Sequence, residues 1–404
     1  MKWEKVKLGN VCEITSSKRI FYSEYVDDGV PFYRSKEIIE SDEGKVIENP
    51  LYISVDKYNE IKEKFGVPQT GDMLLTSVGT IGIPYIIKKK DCFYFKDGNL
   101  TWFRDFRESL NSKYLYYWIK SSEGTGILYN TTIGSSQKAL TISALKNIKV
   151  SLPPRGAQDK IVEVVSAYDD LIENNQKQIK LLEEAAQRLY KEWFVDLNFP
   201  GHENTKIVDG VPEGWSVYPF SSKVDIMSGG TPKTSIPDYY NGKIPFYTPK
   251  DSDGAFFAYK TQINITEGGL KNCNSRLYPP KTVIITARGT VGKTTILAVP
   301  MAMNQSCYAL KMKENDAPYY LFFALNNEIK ALQTMANGGV FNTIIGKTFD
   351  SINIQIPKDP LIYGFEKTVR PFMEQIKNKL QANSKLVEAR DRLLPKLMSG
   401  EVKV

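Results

Sequence analysis

The stretch GSSQKALTISALKNIKVSLP (Gly134 to Pro153) lines up without a gap against GGVFNTIIGKTFDSINIQIP (Gly338 to Pro357), 204 residues further along the chain. Working back from it, KYLYYWI at Lys113 resembles YYLFFAL at Tyr319, TGDMLLTSVGTIG (Thr70 to Gly82) resembles PKTVIITARGTVG (Pro280 to Gly292), and VPFYRSKEI at Val30 resembles IPFYTPKDS at Ile244. These offsets are 206, 210 and 214, so the second copy has lost a few residues between matched segments, as surface loops do on a shared scaffold. Trp3 and Trp215 open the two copies at matching places. The chain is a tandem duplication.

Each copy carries short β-forming runs bounded by Gly, Pro, Asn and Asp: VPFY, DMLLTSVG, IPYIIK and IKVSL in the first, IPFY, TVIITARG, TTILAV and INIQI in the second. Helical patches, NSKYLYYWIKSS (Asn111 to Ser122) and PYYLFFALNN (Pro318 to Asn327), lie between them and make each copy α+β. Downstream of each copy the periodicity changes to a heptad. In the first it runs Val165, Tyr168, Ile172, Asn175, Ile179, Leu182, Ala186, Leu189, Trp193; in the second Val369, Phe372, Ile376, Lys379, Asn383, Leu386, Arg390, Leu393, Leu397. Alternating spacings of three and four are the a/d seam of a left-handed coiled coil. A pair of amphipathic helices lying on their own globular units is the alternative. Length favours the coil, since the 29 residues from Val165 to Trp193 reach about 43 Å at 1.5 Å each.

The expected fold is therefore α+β, with two β-rich units and two long helices pairing as an antiparallel coiled coil about a pseudo-two-fold axis. The boundaries are 1–153 for the first unit, 154–200 for its helix, 201–214 for a connector, 215–357 for the second unit and 358–404 for the second helix and tail. Asn175, Lys379, Asn383 and Arg390 interrupt the apolar seam, which suits polar groups that fix register or a seam partly used to dock another chain. The cyclic order of unit and helix places the termini near one another.

The 404 residues contain 53 Lys and Arg against 46 Asp and Glu, a net charge of +7. Gln158 to Asp196 holds five basic and nine acidic residues, Ile362 to Ser399 eight and four. The helices cancel at −4 and +4, and the surplus belongs to the globular units, their linkers and the tail. Matched loops there mix bases with hydroxyls and amides: SSKR (Ser16 to Arg19) with GGTPKTS (Gly229 to Ser235), and YRSKE (Tyr33 to Glu37) with YTPKD (Tyr247 to Asp251). Such side chains bond phosphates and base edges. Charge and position single out Lys18, Arg19, Arg34, Lys36, Lys233, Thr234, Lys250 and Arg288 as DNA contacts. Two such units on a two-fold rod have the geometry of a reader of two half-sites.

Catalytic chemistry is poorly represented. Four scattered cysteines form no C-x-x-C, and the single histidine, His202, lies in the connector FPGHENTK, so thiolate and multi-His metal sites are excluded. ARGTVGKTT (Ala287 to Thr295) imitates a phosphate-binding P-loop but has Ala287 where the first glycine belongs, and its duplicate has Ile83 in place of Lys293. What the copies share is G-T-x-G, a tight turn. No methyltransferase loop with Asn- or Asp-Pro-Pro-aromatic and no Pro-Asp followed by D/E-x-K is present. The N-terminus lacks a signal core and no run spans a bilayer, so a reduced, cytoplasmic protein without membrane contact is expected.

Two β-rich units, each with a lead-in such as ALTISALKNIKVSLPP and a long helix such as QDKIVEVVSAYDDLIENNQKQIKLLEEAAQRLYKEWF, resemble the specificity subunit of type I restriction-modification systems. LVEARDRLLPKLMSGEV is similar to that family's C-terminal segment. The resemblance implies that the units are target recognition domains, each reading half of a bipartite, asymmetric DNA sequence, with the helices as ruler. It implies a chain without catalysis of its own: two modification subunits dock on the helices and methylate adenine with S-adenosylmethionine, and restriction subunits cut DNA using ATP and magnesium. It also places Gly134, Ser135, Ser136, Gln137 and Lys138, and in the second copy Gly338, Gly339, Val340, Phe341 and Asn342, near DNA. Because Gln137 and Lys138 become Phe341 and Asn342, different half-sites are expected. The competing reading is a structural scaffold pairing two protein-binding modules on a coiled coil.

Overall fold

The computed structural model describes residues 3–45, 47–134, 138–335 and 343–404, and the side chains of all of these but 331–335. The chain forms two compact units, residues 1–173 with 385–404, and residues 174–384. This partition differs from the linear one above, because each unit takes a piece of both long helices.

In the first unit, Met73–Thr76 lies inside a four-stranded antiparallel sheet, between Leu100–Arg104 and the edge strand Pro84–Ile86, with Glu13–Thr15 beyond Leu100–Arg104. All four residues of Met73–Thr76 are buried. A strand covered on both faces needs a continuous apolar run instead of alternation, which is what MLLT supplies. A second sheet orders Tyr25–Val26, Leu51–Ile53, Val30–Tyr33 and Tyr94–Phe95, the last pair being parallel. Glu4–Lys7 pairs antiparallel with Lys149–Leu152, the end of the lead-in.

The second unit repeats these neighbours. Val224–Ser228, Cys307–Met312, Val283–Thr286 and Thr294–Leu297 follow one another as their counterparts do, with Phe257–Ala258 added in parallel at the edge. Tyr240–Tyr247 pairs antiparallel with Asn264–Ile265 and parallel with Ala302–Met303. Ser216–Pro219 pairs with Asn353–Ile356. The duplication is thus legible in the pairing order as well as in the sequence.

The long helices run Arg155–Tyr190, continued by a wider turn at Lys191–Val195, and Asp359–Met398. Within the first unit, Asp169 meets Arg390 at 2.6 Å, while Ile161 and Val165, earlier on one helix, share a core with Leu394 and Leu397, later on the other. Within the second unit, Asn175 donates to Asn383 at 2.8 Å, and Trp193 packs edge-on against Phe365 with ring centres 5.9 Å apart. In both units the segments run antiparallel. None of the eighteen heptad positions is exposed; Val165, Ile179, Ala186, Val369, Ile376 and Leu397 are buried. Three of the four polar members meet one another, Lys379 reaching Asn175 at 3.5 Å beside the Asn175–Asn383 bond, while Arg390 holds Asp169, one residue off the seam. Trp3 lies against Gly400, where an added Cβ would come within 3.0 Å of its ring, and Trp215 packs on Phe194 and Phe199. Each tryptophan therefore closes its unit where a long helix ends.

Two buried side chains tie a globular helix to a long one. Gln158 accepts from the Asn111 N–H at 2.9 Å and donates to the Ser109 and Pro153 carbonyls at 2.8 Å, at the start of Ser112–Lys120. In the second unit Glu366 accepts from the N–H groups of Tyr319 and Tyr320, both at 2.8 Å, in the first turn of Pro318–Met335. Burial pushes the Glu366 carboxyl up to about 7, against those two bonds and Arg370, which lower it; Asp316 adds to the rise. Glu183, bonded to the Phe256 backbone, is likewise pushed up to about 7 by burial. Since both folded values lie above the ordinary carboxylate range, the stability from holding these protons is complete below about pH 4.5 and is lost as pH rises through 7. Glu366 alone accounts for on the order of 3 kcal/mol of this loss. Thermal unfolding of the full chain from pH 5 to 8 is predicted to show a falling midpoint, E366Q to reduce that fall, and E183Q with E366Q to flatten most of it. A wild-type midpoint independent of pH in this window would count against the assignment.

Candidate nucleic-acid interface

In the second unit five segments converge. The turn 287–292 joins Val283–Thr286 to Thr294–Leu297 and carries Arg288. Its Ala287 N–H donates to the Ser306 carbonyl at 2.7 Å, and the neighbouring Gln305 receives the Thr231 hydroxyl of the loop that holds Lys233 and Thr234. The Thr290 hydroxyl donates to the Pro249 carbonyl at 3.2 Å, next to Lys250. Ile344, which follows the second lead-in tip, donates its N–H to Ala287 at 2.9 Å. Lys233, Thr234, Lys250 and Arg288 are all exposed and are thus brought to one loop cluster.

The first unit builds the counterpart. Ser77 donates its N–H to Asn99 at 2.8 Å and receives that of Leu140 at 2.9 Å. Ile133 and Ala139 exchange backbone bonds of 3.0 and 2.9 Å, closing a narrow neck at the start of the lead-in, with Gly134 at φ 98°. Lys138 stands over the Tyr129 ring at 3.7 Å, a cation on an aromatic face. Ser135, Ser136 and Gln137, and Gly338, Gly339, Val340, Phe341 and Asn342, lie outside the described residues.

The remaining candidates separate by partner. Arg19 bonds Asp97 at 2.9 Å while its side chain stays 68% exposed, and Lys18 lies over Phe65 at 4.4 Å. Lys36 is exposed and 3.6 Å from Glu40. Arg34 is engaged differently: its fork and its backbone N–H all bond the buried Glu37, at 2.6 to 3.3 Å, capping the helix Ser35–Asp42. Thr248 and Asp251 form the equivalent cap in the second unit. Arg34 thereby shapes the loop more than it offers a free guanidinium.

Sequence reasoning passed over three exposed features of the two units. Tyr22 is 90% exposed beside Phe21, on a short turn held by Glu24 accepting the Phe21 N–H at 2.8 Å. Lys88, Lys89 and Lys90 are exposed at a tip stitched by Asp91; the triple lysine was the signal. Lys293, set aside with the failed P-loop, is exposed. Its turn links two antiparallel strands with no helix after it, so the amide-lined helix end that cradles a nucleotide phosphate is missing.

Among the described residues no group of three or more His, Cys, Asp or Glu is placed to hold a metal ion, and no helix is long and apolar enough to cross a membrane. The His202 ring nitrogen lies 2.9 Å from the Phe199 carbonyl in a surface turn. Cys12 and Cys307 are buried, and burial pushes their thiols up to about 12.

A specificity subunit of the type I restriction enzyme MjaIX of Methanocaldococcus jannaschii is 28% identical over 421 residues, covering 100% of this chain and 94% of the relative. That of HindI of Haemophilus influenzae is 24% identical over 65% of this chain and 71% of its own. The crystal structure of a type I restriction-modification S subunit from M. genitalium superposes with a TM-score of 0.60 at 17% identity, over 98% of this chain and 96% of the other, a likeness of fold. The model of the type I restriction modification DNA specificity domain matches residues 1–184 and 212–383, one match per copy. The chain therefore belongs to the family of type I restriction-modification DNA specificity domains.

Proposed function

We propose that this chain is the non-catalytic sequence-specificity subunit of a type I restriction-modification complex, working in the cytoplasm on double-stranded DNA. Each unit reads one half of a bipartite, asymmetric target, and the long helices set the spacing and dock two modification subunits. The observation that carries this is the repeated loop cluster: one backbone arrangement occurs twice, and of the exposed cations around it Lys36 and Lys250 match while Lys138, Arg288 and Lys293 have no basic counterpart in the other copy. A shared scaffold with divergent tips is what reading two different half-sites requires. The chain needs no cofactor of its own in this reading. S-adenosylmethionine belongs to the modification subunits, and ATP with magnesium to the restriction subunits.

The exposed Leu181, with Glu184, Arg188 and the half-covered Phe372, forms a mixed apolar and charged face on the long helices of the second unit. It suits a protein partner, and under this reading the partner is a modification subunit. The scaffold alternative uses the same face but predicts assembly indifferent to DNA sequence.

Mapping methylated adenines in a cell that expresses the system should return one bipartite motif with unequal halves; a single uninterrupted motif would refute the reading. Against a duplex carrying that motif, binding by the complex should weaken from 50 to 200 mM salt, with a slope of about −0.9 per phosphate contacted.

Removing one heptad from each long helix at matched positions shortens the rod by about 10 Å, about three base pairs of rise. The spacer between half-sites should shrink accordingly. Retained binding at the original spacing would exclude the helices as ruler.

A further inference from the structure

The G-T-x-G turn has the same construction in both copies. Gly82 donates to the Thr76 carbonyl at 2.9 Å, and Gly292 to that of Thr286 at 2.9 Å. Ile83 N–H meets the Thr76 hydroxyl at 2.9 Å, and Lys293 N–H that of Thr286 at 3.0 Å. Gly79 and Gly289 share φ 79°, and Gly82 and Gly292 have φ 87° and 80°. The following lead-in docks identically, Leu140 on Ser77 and Ile344 on Ala287, each at 2.9 Å. With the backbone held constant, the side chains at equivalent positions are directly comparable.

They differ in one respect that matters. Val78 and Ile83 flank the crest in the first unit, Arg288 and Lys293 in the second. Arg288 and Lys293 are exposed, and neither side chain has a hydrogen-bond or ion-pair partner among the described residues. The turn's hydroxyls are committed within the protein: Thr286 to the Thr290 and Lys293 carbonyls, and Thr290 to Pro249. Its crest therefore presents two cationic donors, and its one exposed hydroxyl, that of Thr290, has its proton committed to Pro249. A phosphodiester is all acceptor, as is the major-groove edge of guanine, whereas the edges of adenine, cytosine and thymine carry a donor or a methyl group.

We propose that Arg288 and Lys293 form a clamp on the DNA backbone phosphates that only the second unit possesses, the equivalent place in the first being apolar. The proposal rests on the specificity-subunit reading and deepens it, since it makes affinity for the second half-site the more salt-dependent. Lys250, brought alongside through the Thr290 bond to Pro249, lies close enough in the chain to extend the positive tip.

The test is equilibrium binding of the full chain, in complex with its modification subunits, to its cognate duplex between 50 and 200 mM salt. R288A and K293A are each expected to lower the magnitude of the salt slope by about 0.9, and the double variant by about 1.8. Discrimination against mismatches in the second half-site should stay unchanged, because phosphate contacts carry no base information. I83K should raise the slope by up to the same amount. Unchanged affinity and slope in R288A with K293A, while the wild type binds and all variants melt alike, would overturn the clamp and leave the wider reading standing. So would loss of preference at a single base pair with an unchanged slope. A wild-type complex that binds no duplex would overturn both.

Discussion

The first compact unit does not complete its core from one continuous stretch of chain. Leu394, Leu397 and Met398, the nearest of them 229 residues beyond Val165, sit in that core with Ile161 and Val165, whereas the second unit spans 174–384 without a break and closes its two ends on each other, Ile179, Ala186, Tyr190 and Phe194 sharing a core with Ile362, Phe365 and Val369. The antiparallel pairing of helix segments inside each unit is the constraint from which the rest follows. Pairs such as Asn175 with Asn383 and Asp169 with Arg390 add little net stability for partly buried polar groups. Their effect is on register: a slip of one helix past the other by a turn leaves an amide or a charge facing apolar neighbours, which costs about 1–3 kcal/mol per group.

That register is passed to the loops through few connections. Gln158 and Glu366 each grip the start of a globular helix, and the strands that follow the lead-ins, Lys149–Leu152 and Asn353–Ile356, are each pinned by the opening strand of their own unit. The described part of each lead-in is therefore fixed at its end to an opening strand and, through Leu140 or Ile344, to the G-T-x-G turn. The anchors do not occupy matched positions: at the offset of 204 Gln158 pairs with Ile362 and Glu366 with Val162, so each unit has placed its anchor independently, one turn of helix apart. Both accept backbone N–H bonds, but only the carboxyl responds to pH.

The repeat was legible because its strongest segment contains no gap, and once register was set there, every upstream match followed. The three-four spacing of the long helices was equally plain. It understated their covered face: Tyr190, Phe194, Phe365 and Met373 lie off the seam and are buried. A two-stranded coil needs only a narrow stripe, but these helices also pack on Tyr320 and Phe323 of the globular helix, which widens it. Short strands such as Glu4–Lys7 and Glu13–Thr15 carry too few residues for alternation to register. At the interface, counting charges found Lys233, Lys250 and Arg288 but not the engagement of Arg34, because a fork wrapped on a glutamate three residues away reads the same in sequence as a free one. Lys293 was lost for the opposite reason, a motif that suggested the wrong phosphate.

Duplication sets two demands against each other. The scaffold must stay constant so that both copies hold their tips in the same frame, and the tips must differ for the two halves of a target to differ. The G-T-x-G turn shows how they are reconciled. Its bonds are made by backbone groups and by Thr76 or Thr286, with glycines at the two places where φ is positive, and none depends on the side chains at 78, 83, 288 or 293. Residues that point outward from such a turn are free of folding constraint, so substitution there changes what the turn can grip without changing what holds it. Arg34 is the contrary case: its side chain is spent on the cap, and the equivalent Thr248 is spent in the same way. The division between variable and fixed positions in these loops follows from which side chains the backbone uses, and it separates them more sharply than charge does.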